Sequence, residues 1–179
     1  MNSKGDSIDF IFQDLKDKGC ITASDKIKES EDCDNFHAEH GIIYFNPKKI
    51  NGWDVKSKRF CILHEEKHNR IPYRYIGFLI ISCIPITLLL FISGLLLIIP
   101  FPIIVLFVAF KRLEEYDCDE FASIMLRDKL GELEQPAKIL EKTLEKIECK
   151  DCISGIIHPT HEKRVRHIAK IVDKKIGDY

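Results

Sequence analysis

The sequence has no surplus of charge of either sign. Lysine and arginine number 27 against 28 aspartate and glutamate, a net charge of −1. A polyanion binder advertises itself by a basic surplus, so nucleic acid is excluded as a partner. Internal repeats and low-complexity tracts are also lacking. With 31% charged and 45% hydrophobic residues the composition is that of a folded chain, and 179 residues suit one modest domain. The cysteines number seven, an odd count. No cleavable signal peptide is legible in the polar N-terminal stretch, so free thiols in a reducing compartment are expected rather than a disulfide framework.

The most informative absence is local. Between Tyr75 and Phe110 there is no charged residue. The mean hydropathy of −0.09 hides this block by averaging it with polar flanks. A chain of this size cannot bury such a run, which predicts insertion into a lipid bilayer. One span uses about 20 residues. The block is long for one span and short for two, so a transmembrane or re-entrant helical hairpin is expected. Its turn falls at Ser93-Gly94 or Pro100-Phe101-Pro102, and its second arm runs on past Phe110. A single tilted span is the alternative. Lys67, Arg70 and Arg74 precede the block and Lys111 and Arg112 follow it. Basic residues at both ends place both ends in the cytoplasm.

Around this block the sequence predicts helices from Asp6 to Lys18, stopped by Gly19, and from Val55 to Asn69, capped by Asp54. Further helices are predicted from Arg112 to Asp128, from Pro136 to Glu148, and after a Thr160 cap. Ile8, Ile11 and Leu15 mark the buried face of the first, and Phe121, Ile124 and Met125 that of the first element after the block. Ala137, Leu140, Leu144 and Ile147, then Val165, Ile168, Val172 and Ile176, repeat the pattern. Residues 20–35 read as a polar loop. His40–Phe45 reads as a strand ended by Asn46-Pro47. The expected fold is mainly α with a small β element. The expected divisions are an N-terminal helix and loop over 1–39, a strand and motif helix over 40–74, the apolar hairpin over 75–110, and a C-terminal helical part over 111–179.

The helix ending at Asn69 carries His64-Glu65-Glu66-Lys67-His68. Residues four apart share a helical face, so His64 and His68 can converge on one metal ion. Two imidazoles with a carboxylate suit zinc, and Glu65 beside them is placed to act as general base. A charged, solvated helix end is the bland reading of the motif alone. A catalytic zinc needs a third protein ligand, and His68 is followed by Asn69-Arg70-Ile71-Pro72, which supplies none. The best source is Glu114-Glu115-Tyr116-Asp117-Cys118-Asp119-Glu120-Phe121-Ala122. There Glu115 and Asp119 lie four apart: Glu115 as metal ligand, Asp119 as acceptor from a ligand imidazole. A solubilising acidic cluster is the alternative. A hairpin that enters and leaves on one side brings the two elements together.

Taken in order, His64-Glu-Glu-Lys-His68, a membrane segment, Glu115-Tyr-Asp-Cys-Asp119-Glu-Phe-Ala and His158-Pro-Thr-His-Glu-Lys-Arg164 resemble the HtpX/CAAX-prenyl-protease family of zinc metallopeptidases. The resemblance runs from about His40 to Ile171. It implies a zincin-like domain interrupted by the membrane hairpin, one zinc ion per chain, and cleavage of protein or peptide substrates at the cytoplasmic face. It also implies His64, His68 and Glu115 as zinc ligands, Glu65 as base and Asp119 behind the ligands. His158 would donate to the developing oxyanion, and Arg164 would brace the cluster. The His40–Phe45 strand would serve as an edge that receives extended substrate. Three residues depart from the family pattern: Glu66 and Lys67 stand where it has an apolar and a small residue, and Cys118 where it has alanine. A catalytically degenerate zinc-binding scaffold or regulator is therefore the alternative function, and a partner-binding protein with coincidental motifs a second one.

Cys149 and Cys152 read as surface thiols, and His37, His40 and His161 as exposed side chains. Trp53 and Tyr73 read as interfacial anchors or packing residues.

Overall fold

The computed structural model describes residues 7–71, 100–147 and 158–173. Helix α1 spans Ile8–Asp17, with Ser7 accepting from the Phe10 amide at its start. Ile8, Ile11, Phe12 and Leu15 are buried, the stripe expected of an amphipathic helix. Gly19 follows at φ 70°, a left-handed stop that costs glycine little.

Three strands follow: β1 Lys26–Glu29, β2 Phe36–Glu39 and β3 Ile42–Phe45. Their order in the sheet is β1-β3-β2, with β1 parallel and β2 antiparallel to β3. This corrects two expectations. The 20–35 segment contains β1, whose residues are exposed apart from half-buried Ile27, so no alternation marks it. The predicted His40–Phe45 strand begins only at Ile42. His40 and Gly41 form a two-residue hairpin turn, with φ of 50° and 76°. Positive φ at both central positions matches the right-handed twist of the flanking strands. Ile42–Phe45 is thus the central strand, and β2 lies at the edge. Strands from both sides of residue 39 share the sheet.

Helix α2 spans Val55–Arg70. The Asp54 side chain caps it, accepting from the Ser57 amide at 2.9 Å. Helix α3 spans Pro100–Asp128 without interruption. The end of the apolar block and the acidic segment are therefore one element. Pro100 stands at the helix start, where a missing amide hydrogen costs nothing. Pro100-Phe101-Pro102 is thus helical and not the turn expected there. The rest of the block, with the other candidate turn at Ser93-Gly94, lies outside the described residues. So do Tyr73, Cys149, Cys152 and Ile176. Among the described residues no helix is long and apolar enough to cross a membrane.

Helix α4 covers Pro136–Lys146 and α5 covers His161–Ile168, continued by a π-helical turn over Ala169–Asp173. One core joins the sheet to the helices through Ile43 and Phe45, Phe60, Ile62 and Leu63, Ala122 and Leu126, Ile139 and Leu140, and Ile168. Trp53 is buried and packs on Phe36, with ring centroids 6.2 Å apart.

Helices α2 and α3 pack antiparallel. His64 meets Asp119, Lys67 meets Asp117 and His68 meets Glu114, so advancing along one helix retreats along the other. That register carries the functional groups described next.

Candidate metal centre

His64 and His68 are one helical turn apart on α2, and their rings meet edge to face. Their Nε2 atoms are 3.2 Å apart. Each Nδ1 faces a carboxylate oxygen: His64 that of Asp119 at 3.0 Å, His68 that of Glu114 at 2.9 Å. An ionised carboxylate only accepts, so each Nδ1 carries a hydrogen, and in a neutral ring Nε2 then presents a lone pair. Two lone pairs at that separation repel. A proton or a metal ion between them removes the conflict.

Glu115 faces both rings. One of its oxygens is 3.6 Å from His64 Nε2 and the other 3.6 Å from His68 Nε2. Four donors held ~2.0–2.1 Å from a tetrahedral zinc stand roughly 3.3–3.4 Å from one another. The His64–His68 spacing matches such an edge, and Glu115 sets one oxygen 3.6 Å from each Nε2, its carboxylate straddling the pair. The donors are two nitrogens and a carboxylate, which is a zinc set rather than a magnesium or calcium one. His64 and His68, with the Glu115 carboxylate facing both, are placed where a metal ion could be held.

The electrostatics agree. Burial opposes a charge on His68, but hydrogen bonds with Cys118, Glu114 and Glu115 outweigh it and raise its pKa above the ordinary value. Burial likewise opposes charge on Glu115, yet His158, His68, His64 and Arg164 hold its carboxyl well below the usual range. Asp119 is fully buried and is kept ionised against that burial chiefly by Arg164. The Arg164 guanidinium grips Asp119 with two hydrogen bonds, of 2.7 and 2.6 Å, and lies 3.4 Å from Glu115. It braces two carboxylates at once and holds α5 against α3.

His158 Nδ1 lies 3.2 Å from the Glu115 carboxylate, with its side chain nearly half exposed. Glu65 is half-buried and lines the same cleft as His64, His68, Glu115, His158 and Arg164. All seven residues singled out from the sequence thus come to one place. The cleft has a volume of about 1220 Å³. It is lined by β2 and the preceding loop, by α3 between Phe107 and Glu115, by α4 and by the His158–Arg164 segment. His37 and His161 lie on its rim, exposed, as expected.

The sequence reading missed Glu114. It accepts from His68 and is paired with Lys111 at 2.8 Å. The signal was present but ambiguous: two adjacent glutamates face two histidines, and only the helix register decides which is ligand and which is support.

The departures at positions 66 and 67 have structural explanations. Glu66 is fully buried on the side of α2 away from the ion site. Its carboxylate accepts from the amides of Thr22, Ala23 and Ser24 at 2.8 to 2.9 Å, and from Arg70 at 2.9 Å. It pins the turn between α1 and β1. Lys67 pairs with Asp117 at 2.9 Å and reaches over the Phe121 ring. Neither displaces a group of the site. Cys118 differs, because its sulfur and one nitrogen from each of His64 and His68 lie within 4.8 Å of one another. Burial pushes its thiol up to about 11.

Comparison with known proteins finds no matching family model, no significant curated relative and no significant solved structure.

Proposed function

We propose that this chain is a zinc-dependent endopeptidase of the HtpX/CAAX-prenyl-protease kind. It would cleave proteins or peptides at the cytoplasmic face of a membrane into which the 75–110 block inserts. The observation that carries the reading is the His64–His68 pair, with Nε2 atoms 3.2 Å apart and one Glu115 oxygen 3.6 Å from each of them. Its location in a cleft beside Glu65 supports hydrolysis over storage.

In this reading His64, His68 and Glu115 hold the ion. When bound, zinc supplies Lewis-acid polarisation of the scissile carbonyl and of a water molecule. Glu65 takes the proton from that water and returns it to the leaving amine. Asp119 and Glu114 fix the two imidazoles with Nε2 turned inward, and Arg164 positions Asp119 and Glu115. His158 stands at the cleft side of Glu115, where its imidazole can donate to an oxyanion. Strand β2, at the sheet edge and along the cleft, takes the substrate-docking role first read for residues 40–45. Exposed Val105 and Phe107 near the start of α3 fit a site close to lipid. The test is casein cleavage by the purified protein, with a chelator control and a Glu65→Gln variant.

A zinc-binding scaffold without activity is the second reading, and the observation that favours it is Cys118. A fourth protein donor closes a tetrahedral site, as in structural zinc centres.

A further inference from the structure

Cys118 stands three residues after Glu115 and one before Asp119, on the α3 face that meets the two histidines. It is fully buried, a free thiol, and lies with nitrogens of both imidazoles inside a 4.8 Å circle. Residues three apart on a helix are neighbours, so the sulfur and the Glu115 carboxylate approach the same point from one side. His64 and His68 approach it from α2. A sulfur about 2.3 Å from zinc and a nitrogen about 2.0–2.1 Å from it stand roughly 3.5 Å apart. The observed spacing, within 4.8 Å, exceeds that by at most about 1.3 Å.

We propose that Cys118 is a fourth metal ligand, so that the resting site is His64, His68, Glu115 and a Cys118 thiolate. The proposal rests on the metal-site reading above and adds a soft donor that the motif itself does not supply. A thiolate ligand strengthens the preference for zinc over harder cations. Binding releases the thiol proton to solvent, and release of the sulfur takes one back, so no oxidant or reductant is required. Four protein donors leave no open position. The sulfur-bound form is therefore the resting one, and hydrolysis belongs to the form in which Cys118 has swung away.

Cobalt(II) reports on this directly, because a thiolate ligand gives an intense near-ultraviolet charge-transfer band while tetrahedral binding gives visible d–d bands. The full-length protein, stripped and reloaded with cobalt, is expected to show both. The Cys118→Ala variant is expected to keep visible bands and lose the charge-transfer band, as is Cys118→Ser, which covers the case that alanine disturbs the helix packing. Visible bands without charge transfer in the wild type would overturn the proposal and leave the metal site standing. Persistence of the charge-transfer band in both variants would overturn it too, pointing to another sulfur such as Cys61. Absence of every cobalt band would overturn the metal reading itself.

Discussion

His64 and His68 point their Nε2 atoms at each other across 3.2 Å, while their other nitrogens are each tied to a carboxylate. Neither carboxylate comes from the helix that bears the histidines. Both come from α3, which continues directly out of the apolar block. The groups that orient the pair therefore come from one element, α3, packed antiparallel to α2.

Glu65 is the group expected to move the proton. Glu65→Gln keeps its size and hydrogen bonding but not its basicity. Casein hydrolysis should fall by about 10²- to 10⁴-fold, the usual worth of a general base. Zinc content should stay at the wild-type level. Unimpaired turnover in this variant would remove Glu65 from the mechanism.

Glu114 should matter through His68 without touching the ion. Losing the acceptor on a ligand imidazole typically weakens metal binding about 10- to 100-fold. Glu114→Ala is expected to show a shift of that size in competition with a chromophoric chelator. An unshifted affinity would mean that His68 holds its orientation without Glu114.

Glu66 should matter to the fold and not to the chemistry. Glu66→Ala leaves three amides and a guanidinium without their acceptor, which should cost about 2–4 kcal/mol. Burial raises the carboxyl pKa, but hydrogen bonds from Ser24, Ala23, Thr22 and Arg70 overcome it and set the folded value below 4.5. A depressed folded pKa gives stability that is present above the unfolded value and lost as pH falls through the folded one. Thermal unfolding should therefore show a Tm gap between wild type and variant that is full at neutral pH. The gap should narrow below about pH 4.5, the unfolded-state value. A gap independent of pH would assign the role of Glu66 to packing alone.

Much of this arrangement was legible in the residues. The α1 stripe, the Asp54 cap and Pro136 at the first turn of α4 are local signals, and local physics decides them. His64 with His68, and Glu115 with Asp119, were legible because a helical spacing of four fixes which groups share a face, and Glu65 because it adjoins His64 in the motif. His158 and Arg164 came only from the family resemblance. Strand β1 was not: Lys26, Lys28 and Glu29 are solvent-exposed, and what makes the segment a strand is the ladder to β3. The hairpin turn at His40-Gly41 was read as strand because histidine gives no strong signal of positive φ. Glu114 and Glu66 were undervalued for one shared reason. A carboxylate's role depends on which donors the fold brings to it, and those donors are 46 and up to 44 residues away in sequence.

The central claim is that α2 and α3 grip one shared ion through His64, His68 and Glu115. Zinc content measured after dialysis against a competing chelator, on the wild type beside Glu115→Ala, tests it most directly. The account predicts about one zinc per wild-type chain, as three convergent protein ligands require, and a marked loss in the variant. A wild type without zinc, or a variant that holds zinc as tightly as the wild type, would contradict it.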